Sequence, residues 1–125
     1  MPGVTLDAGG LIALDRDDRR VVVLLARARE TGARITVPAS ALAQAIRRPD
    51  RRARLSRLIR QPTTEVVSLD RVDATNVGRL LAASGTSDIA DAHVVICARR
   101  ADQPVVTSDP GDLRQLDSAL RLITL

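Results

Sequence analysis

The 125-residue chain contains no Phe, Tyr or Trp, and no Lys: all 19 of its basic residues are Arg. Without aromatic rings the core has to be built from Leu, Val, Ile and Ala, and nucleic acid cannot be gripped by stacking bases on aromatic faces. Only His93 and the Arg planes remain for stacking. A GC-rich gene explains the exclusive use of Arg more simply than selection for guanidinium does. The net charge of +4 favours an anionic partner only weakly. A lone cysteine, Cys97, cannot form an internal disulfide, so a reducing cytoplasm is the expected compartment. No apolar run approaches the ~20 residues of a membrane span. Met1-Pro2-Gly3-Val4 also lacks the charged and apolar stretches of a signal peptide, and no membrane role is expected.

The length is that of one domain, residues 1–125, and the 45% hydrophobic fraction suffices for a core. Residues 3–7 read as a buried first strand, followed by a short helix from Ala8 to Leu14. A second helix, about 17–31, carries Val21, Leu24, Leu25 and Ala28 at helical spacing, and Thr31-Gly32 stops it. Arg34–Val37 reads as a second strand. Pro38 then opens a helix through Arg47, with proline in the first turn. Helices are expected over Arg51–Arg60, from the Asp70 cap to Ala83, and from a Thr86 or Ser87 cap to Ala101. Strands are expected at Glu65–Leu69, Pro104–Thr107 and Arg121–Thr124, with a short helix after Asp109-Pro110. Short apolar strands alternating with helices predict an α/β fold: a central parallel sheet of about five strands, covered by helices on both faces.

In such a sheet ligands bind beyond the carboxyl ends of the strands. Asp7 ends the first strand, Asp109 follows the fourth, and Asp91 lies early on the helix before it, with Asp88 one turn earlier. Carboxylates gathered at one sheet edge suit a hard divalent cation. Two unit charges 4 Å apart cost about 4 kcal/mol at an effective dielectric of 20, so such a cluster requires raised pKa values or a cation. Each acid also has a structural explanation. Asp7 and Asp109 can cap the helices that follow them, and Asp88 and Asp112 can complement helix dipoles. Asp91 is the hardest to explain that way, because it sits among Ile89, Ala90, Ala92, Val94 and Val95. His93, two residues on, and Cys97 read as packed core rather than chemistry. The basic stretch with Arg47, Arg48, Arg51 and Arg52 is either a solvated helix face or a contact for RNA or a protein partner.

Three strings, in this order, carry a resemblance: VTLDAGGLIAL, SDIADAHVV and VVTSDPGDL. They resemble the opening, the third-acid helix and the fourth-acid strand and turn of PIN-domain ribonucleases. In size the chain is similar to the VapC-type toxins of bacterial toxin–antitoxin pairs. The resemblance implies a single PIN-like domain and an endoribonuclease that uses Mg²⁺ or Mn²⁺ to cut structured RNA such as tRNA or rRNA. It implies Asp7, Asp91 and Asp109 as catalytic metal ligands, with Asp88 and Asp112 as accessory acids. It also implies a homodimer and a small cognate antitoxin as partners.

One position departs from the pattern. The helix after the second strand should carry an acid, but it reads PASALAQAIRR, and Gln44 stands in the place. A neutral amide weakens the metal site, leaves Asp88 to supply the missing charge, or marks a weakly active or inactive module that binds RNA or a partner. Other classes with acids beside a parallel sheet fit less well. Phosphotransfer receivers and haloacid-dehalogenase-type phosphatases use a lysine, which this chain lacks, and no G-x-G-x-x-G turn supports a dinucleotide site.

Overall fold

A computed structural model describes residues 3–47 and 53–125. Its five strands are β1 (Val4–Leu6), β2 (Ile35–Pro38), β3 (Thr64–Val67), β4 (Val105–Thr107) and β5 (Leu122–Thr124). They pair in the order β3-β2-β1-β4-β5, every pair parallel. The two strands that precede Asp7 and Asp109 are therefore neighbours at the centre, with Thr5 opposite Val105 and Leu6 opposite Val106. Both are buried at every residue, as strands covered on two faces must be.

Seven helices connect these strands among the described residues: α1 (Ala8–Asp15), α2 (Arg19–Glu30), α3 (Ala39–Ile46), α4 (Ala53–Ile59), α5 (Arg71–Ser84), α6 (Ile89–Ala101) and α7 (Pro110–Leu116). Helices α2, α3 and α4 gather around α1, and α5 and α7 pack on α6. Helix α3 touches both groups, lying against α1 and α6. The α/β fold with a five-stranded parallel sheet matches the expectation from sequence. None of the helices is long and apolar enough to cross a membrane. The core is mainly aliphatic, with Leu6, Leu11, Leu25, Ile35 and Leu113, together with His93, among its largest fully buried side chains.

Several local expectations are corrected. Helix α6 is capped by Asp88, not by Thr86 or Ser87; the Asp88 carboxylate accepts the Asp91 N–H at 2.9 Å. The Asp88 carboxylate satisfies that first-turn donor, and the hydroxyl residues one and two positions earlier stand outside the cap. Pro38 is the last residue of β2 and the N-cap of α3 rather than a first-turn residue, because its ψ of 133° is extended. Strand β3 starts one residue and ends two residues earlier than expected and is a half-exposed edge, so apolar continuity was a poor guide to its limits. Leu55 and Leu58 of α4 are buried in the core, while Ile59 beside them is half-exposed. Arg48, Arg51 and Arg52 lie outside the described residues. Arg47, the C-cap of α3, is exposed.

Candidate active site

The Asp7 carboxylate is held by its own helix. Asp7 is the N-cap of α1, and its Oδ1 accepts the Gly10 N–H at 2.8 Å. The two glycines that follow let α1 start hard against β4. A Cβ at Gly10 would stand 2.7 Å from the Val106 carbonyl oxygen, and one at Gly9 would collide with the Ser108 hydroxyl. Asp7 is only 5% exposed, and burial pushes its carboxyl above the ordinary value. Hydrogen bonds from the Thr107 hydroxyl and the Gly10 amide oppose that rise, while the charge of Asp109 adds to it.

Thr107 ends β4 fully buried and ties the two strand ends together. Its hydroxyl bonds the Asp7 carboxylate and accepts the Asp109 N–H at 3.0 Å. Sequence reading passed over this residue. The available signal was a hydroxyl at the last position of a buried central strand, where a polar group needs a partner.

Asp109 occupies the N-cap position of α7, yet its side chain makes no capping bond, so helix capping does not account for it. It is exposed, and so is Asp112 in the first turn. The Asp112 carboxyl is raised first by its hydrogen bond to Asp109 and then by the charge of Asp109. Asp91 is half-buried at the start of α6. Its carboxyl is pushed up to about 7, first by desolvation and then by the charges of Asp88, Asp7, Asp112 and Asp109. All five predicted acids therefore act on one another, although they come from the ends of two strands and the starts of two helices. The dominant charges around Asp91 are carboxylates, so a cation fits this site, and an all-oxygen donor set suits a hard one.

Gln44 is exposed on α3, between the buried Ala41 and Ala45. That helix packs on α1 and α6, which begin at Asp7 and Asp88. His93 and Cys97 are buried in α6, as expected of core residues. Neither is solitary, however: with Asp73 of α5 they form a buried Asp/His/Cys group apart from the five acids. Asp73 was not anticipated. An acid three residues after the Asp70 cap reads as a dipole partner, although the spacing to buried Val77 places it on the core stripe of α5.

Comparison with known proteins agrees with the fold. No curated protein is matched. Among solved structures, VapBC2 from Rickettsia felis bound to a DNA fragment from its promoter is similar at a TM-score of 0.66 and 14% identity, covering 98% of each chain. FitAcB from Neisseria gonorrhoeae is similar at 0.64 and 16% identity, covering 97% of this chain and 96% of the other. The profile of the PIN domain family matches residues 4–118. The match takes in β1 through α7 and all five acids, and the chain belongs to the PIN domain family.

Proposed function

We propose that this chain is a Mg²⁺- or Mn²⁺-dependent endoribonuclease, the toxin of a type II toxin–antitoxin pair that cleaves structured RNA such as tRNA or rRNA. The observation that carries the reading is Asp91, whose carboxyl is driven up to about 7 by burial and four neighbouring acids. Like charges crowded at a sheet edge are costly unless something positive occupies the site in the working state. Membership of a nuclease family supports hydrolysis of a phosphodiester. A bound Mg²⁺ would lower the pKa of a water and offset charge on the scissile phosphate.

In this reading Asp7, Asp91 and Asp109 hold the ion, and Asp88 and Asp112 are accessory acids. Asp7 is fixed by Gly10 and Thr107, so one of its oxygens is orientated before the ion arrives. Asp88 holds the first turn of α6 and thereby the backbone of Asp91. The two similar solved assemblies, VapBC2 and FitAcB, support a small protein partner for this chain, and we extend the reading to a homodimer working in the cytoplasm. Arg47, with Arg48, Arg51 and Arg52, is the candidate contact for RNA or that partner.

RNA cleavage in Mg²⁺ or Mn²⁺ tests the assignment. Asp7→Asn and Asp91→Asn should each abolish cleavage while leaving the fold intact by melting curve. Undiminished cleavage by both variants would remove these residues from the site. Gln44 favours a second reading, a catalytically weak or inactive module that binds RNA or a partner. That module need not bind metal, so a wild type that binds neither ion at millimolar concentration would replace the nuclease with it. Co-expression with the adjacent reading frame tests the partner: failure to recover a complex, together with a monomer in light scattering, counts against the toxin assignment.

A further inference from the structure

Away from the acids, α5 and α6 enclose a polar cluster that the nuclease reading does not use. Asp73, His93 and Cys97 are each no more than 3% exposed, and one ligand atom from each lies within 4.8 Å of the other two. His93 and Cys97 are four residues apart, so they share one face of α6. We infer that this cluster is a second metal site, for a borderline-soft divalent cation of the Zn²⁺ class, distinct from the hard-cation site of the acids. This inference is independent of the nuclease reading.

The donors suit that chemistry. One nitrogen, one thiolate and one carboxylate oxygen form a mixed set that Zn²⁺ accepts and Mg²⁺ does not. Zn²⁺ bonds of about 2.0–2.3 Å put tetrahedral ligands ~3.3–3.8 Å apart. His93 Nε2 and Asp73 Oδ2 are already 3.1 Å apart and all three donors lie within 4.8 Å of one another, so reaching tetrahedral spacing takes an inward shift of the Cys97 side of at most about 1 Å. The surroundings hold the donors in place. Ser40 Oγ lies 3.0 Å from His93 Nδ1, where it can accept that N–H and leave the Nε2 lone pair for a metal. Arg100 pairs with Asp73 through Oδ1, which leaves Oδ2 for the ion. On binding, Cys97 releases its thiol proton to water. The divalent charge is then balanced by one thiolate and one carboxylate.

An open position is also available. Cys97 and Arg100 line a cleft of about 320 Å³ that runs to β2 and β3. Thr36 lines the same cleft, 3% exposed, and its hydroxyl has no hydrogen-bond partner among the described residues. A metal-bound water in the cleft would have that hydroxyl to bond, and the cleft is the entry path for the ion.

Co²⁺ tests the site directly, because a thiolate ligand gives a near-ultraviolet charge-transfer band that carboxylates cannot give. The wild type titrated with Co²⁺ should show that band together with the visible bands of a four-coordinate ion, and Zn²⁺ should abolish both while Mg²⁺ should not. The Asp7→Asn/Asp91→Asn double variant should keep the spectrum, which separates this site from the acids. Cys97→Ser should lose the charge-transfer band, and Ser40→Ala should weaken Co²⁺ binding about 10-fold or more. No thiolate band in the wild type, or a band that survives in Cys97→Ser, overturns the proposal. Should Cys97→Ser fail to fold, the wild-type spectrum decides alone, supported by thiol labelling. Zn²⁺ must protect Cys97 from a thiol reagent and chelation must end the protection; equal labelling in both states overturns the site.

Discussion

A carboxyl with a pKa of about 7 is half protonated at neutral pH, and Asp91 is in that position first because it is buried and then because its neighbours are acids. Removing charge from the cluster should relieve it. Asp91→Asn and Asp7→Asn are therefore expected to melt slightly higher than the parent in chelator, even as they lose cleavage; a lower melting temperature for both would show that the acids do not repel. Gln44 poses the opposite case. Its helix packs on α1 and α6, and we propose that it stands at the second-acid position, where a glutamate would add one charge to the site. At ~4–6 Å from a hydrated cation, such a charge is worth on the order of 1–3 kcal/mol, or about 5- to 150-fold in affinity. Gln44→Glu should tighten Mg²⁺ or Mn²⁺ binding by that range and raise cleavage. Calorimetric titration distinguishes this from the alternative. If Gln44→Glu changes nothing while Asp88→Asn lowers affinity strongly, Asp88 has taken over the missing charge.

The elements that carry the site depend on close approach, and α1 shows it best. Gly→Ala within a helix ordinarily stabilises by up to about 1 kcal/mol. At Gly10 the sign should reverse, because the new Cβ would stand 2.7 Å from a β4 carbonyl that cannot move aside without moving the strand. Gly10→Ala is expected to destabilise by about 1–3 kcal/mol, as overpacking does. It should also shift Asp7 relative to Thr107 and Asp109, costing cleavage beyond the stability loss. A melting temperature at or above the parent would show that α1 has room to retreat. At this scale the sequence is informative where one pattern dominates. β1 and β4 were legible as buried runs ending in aspartate, and the α7 start was legible from Asp109-Pro110. The cap of α6 was not, because Thr86, Ser87 and Asp88 are all capping residues and only geometry shows which carboxylate or hydroxyl reaches Asp91 N. Thr107 and Asp73 escaped for a related reason. Each is polar at a position whose importance lies in a partner far away in sequence: Asp7 for Thr107, and His93 and Arg100 for Asp73.

In the whole molecule these terms set the dependence of stability on pH and metal. Asp73 is raised by burial but lowered more by Arg100 and His93, and Asp117 is likewise brought below the ordinary value by Arg99. Carboxyls of that kind contribute stability above the unfolded pKa of 3.8 and lose it as pH falls through their folded pKa, so their influence lies on the acid side. Asp91 has the opposite sign. Between 3.8 and about 7 the folded protein holds a proton there that the unfolded chain has released, so stability declines as pH rises through this window. Asp7 is raised too and adds to the decline. In chelator, the melting temperature should therefore pass a maximum on the acid side of neutrality and fall toward pH 7, and Asp91→Asn should flatten most of that fall. Mg²⁺ should reverse it. An ion that binds the folded state alone adds about 2.7 kcal/mol at a hundred times its dissociation constant, roughly 10 °C for a chain of this length. Because Asp91 must give up its proton to ligate, the Mg²⁺-induced shift should be small near pH 5, grow through 7 and level off above it. Melting curves across that range, with Mg²⁺ and with chelator, measure both trends at once. A Mg²⁺ shift that is independent of pH, in a protein whose metal-free stability does not decline toward neutrality, would mean that Asp91 neither titrates as its surroundings dictate nor ligates the ion.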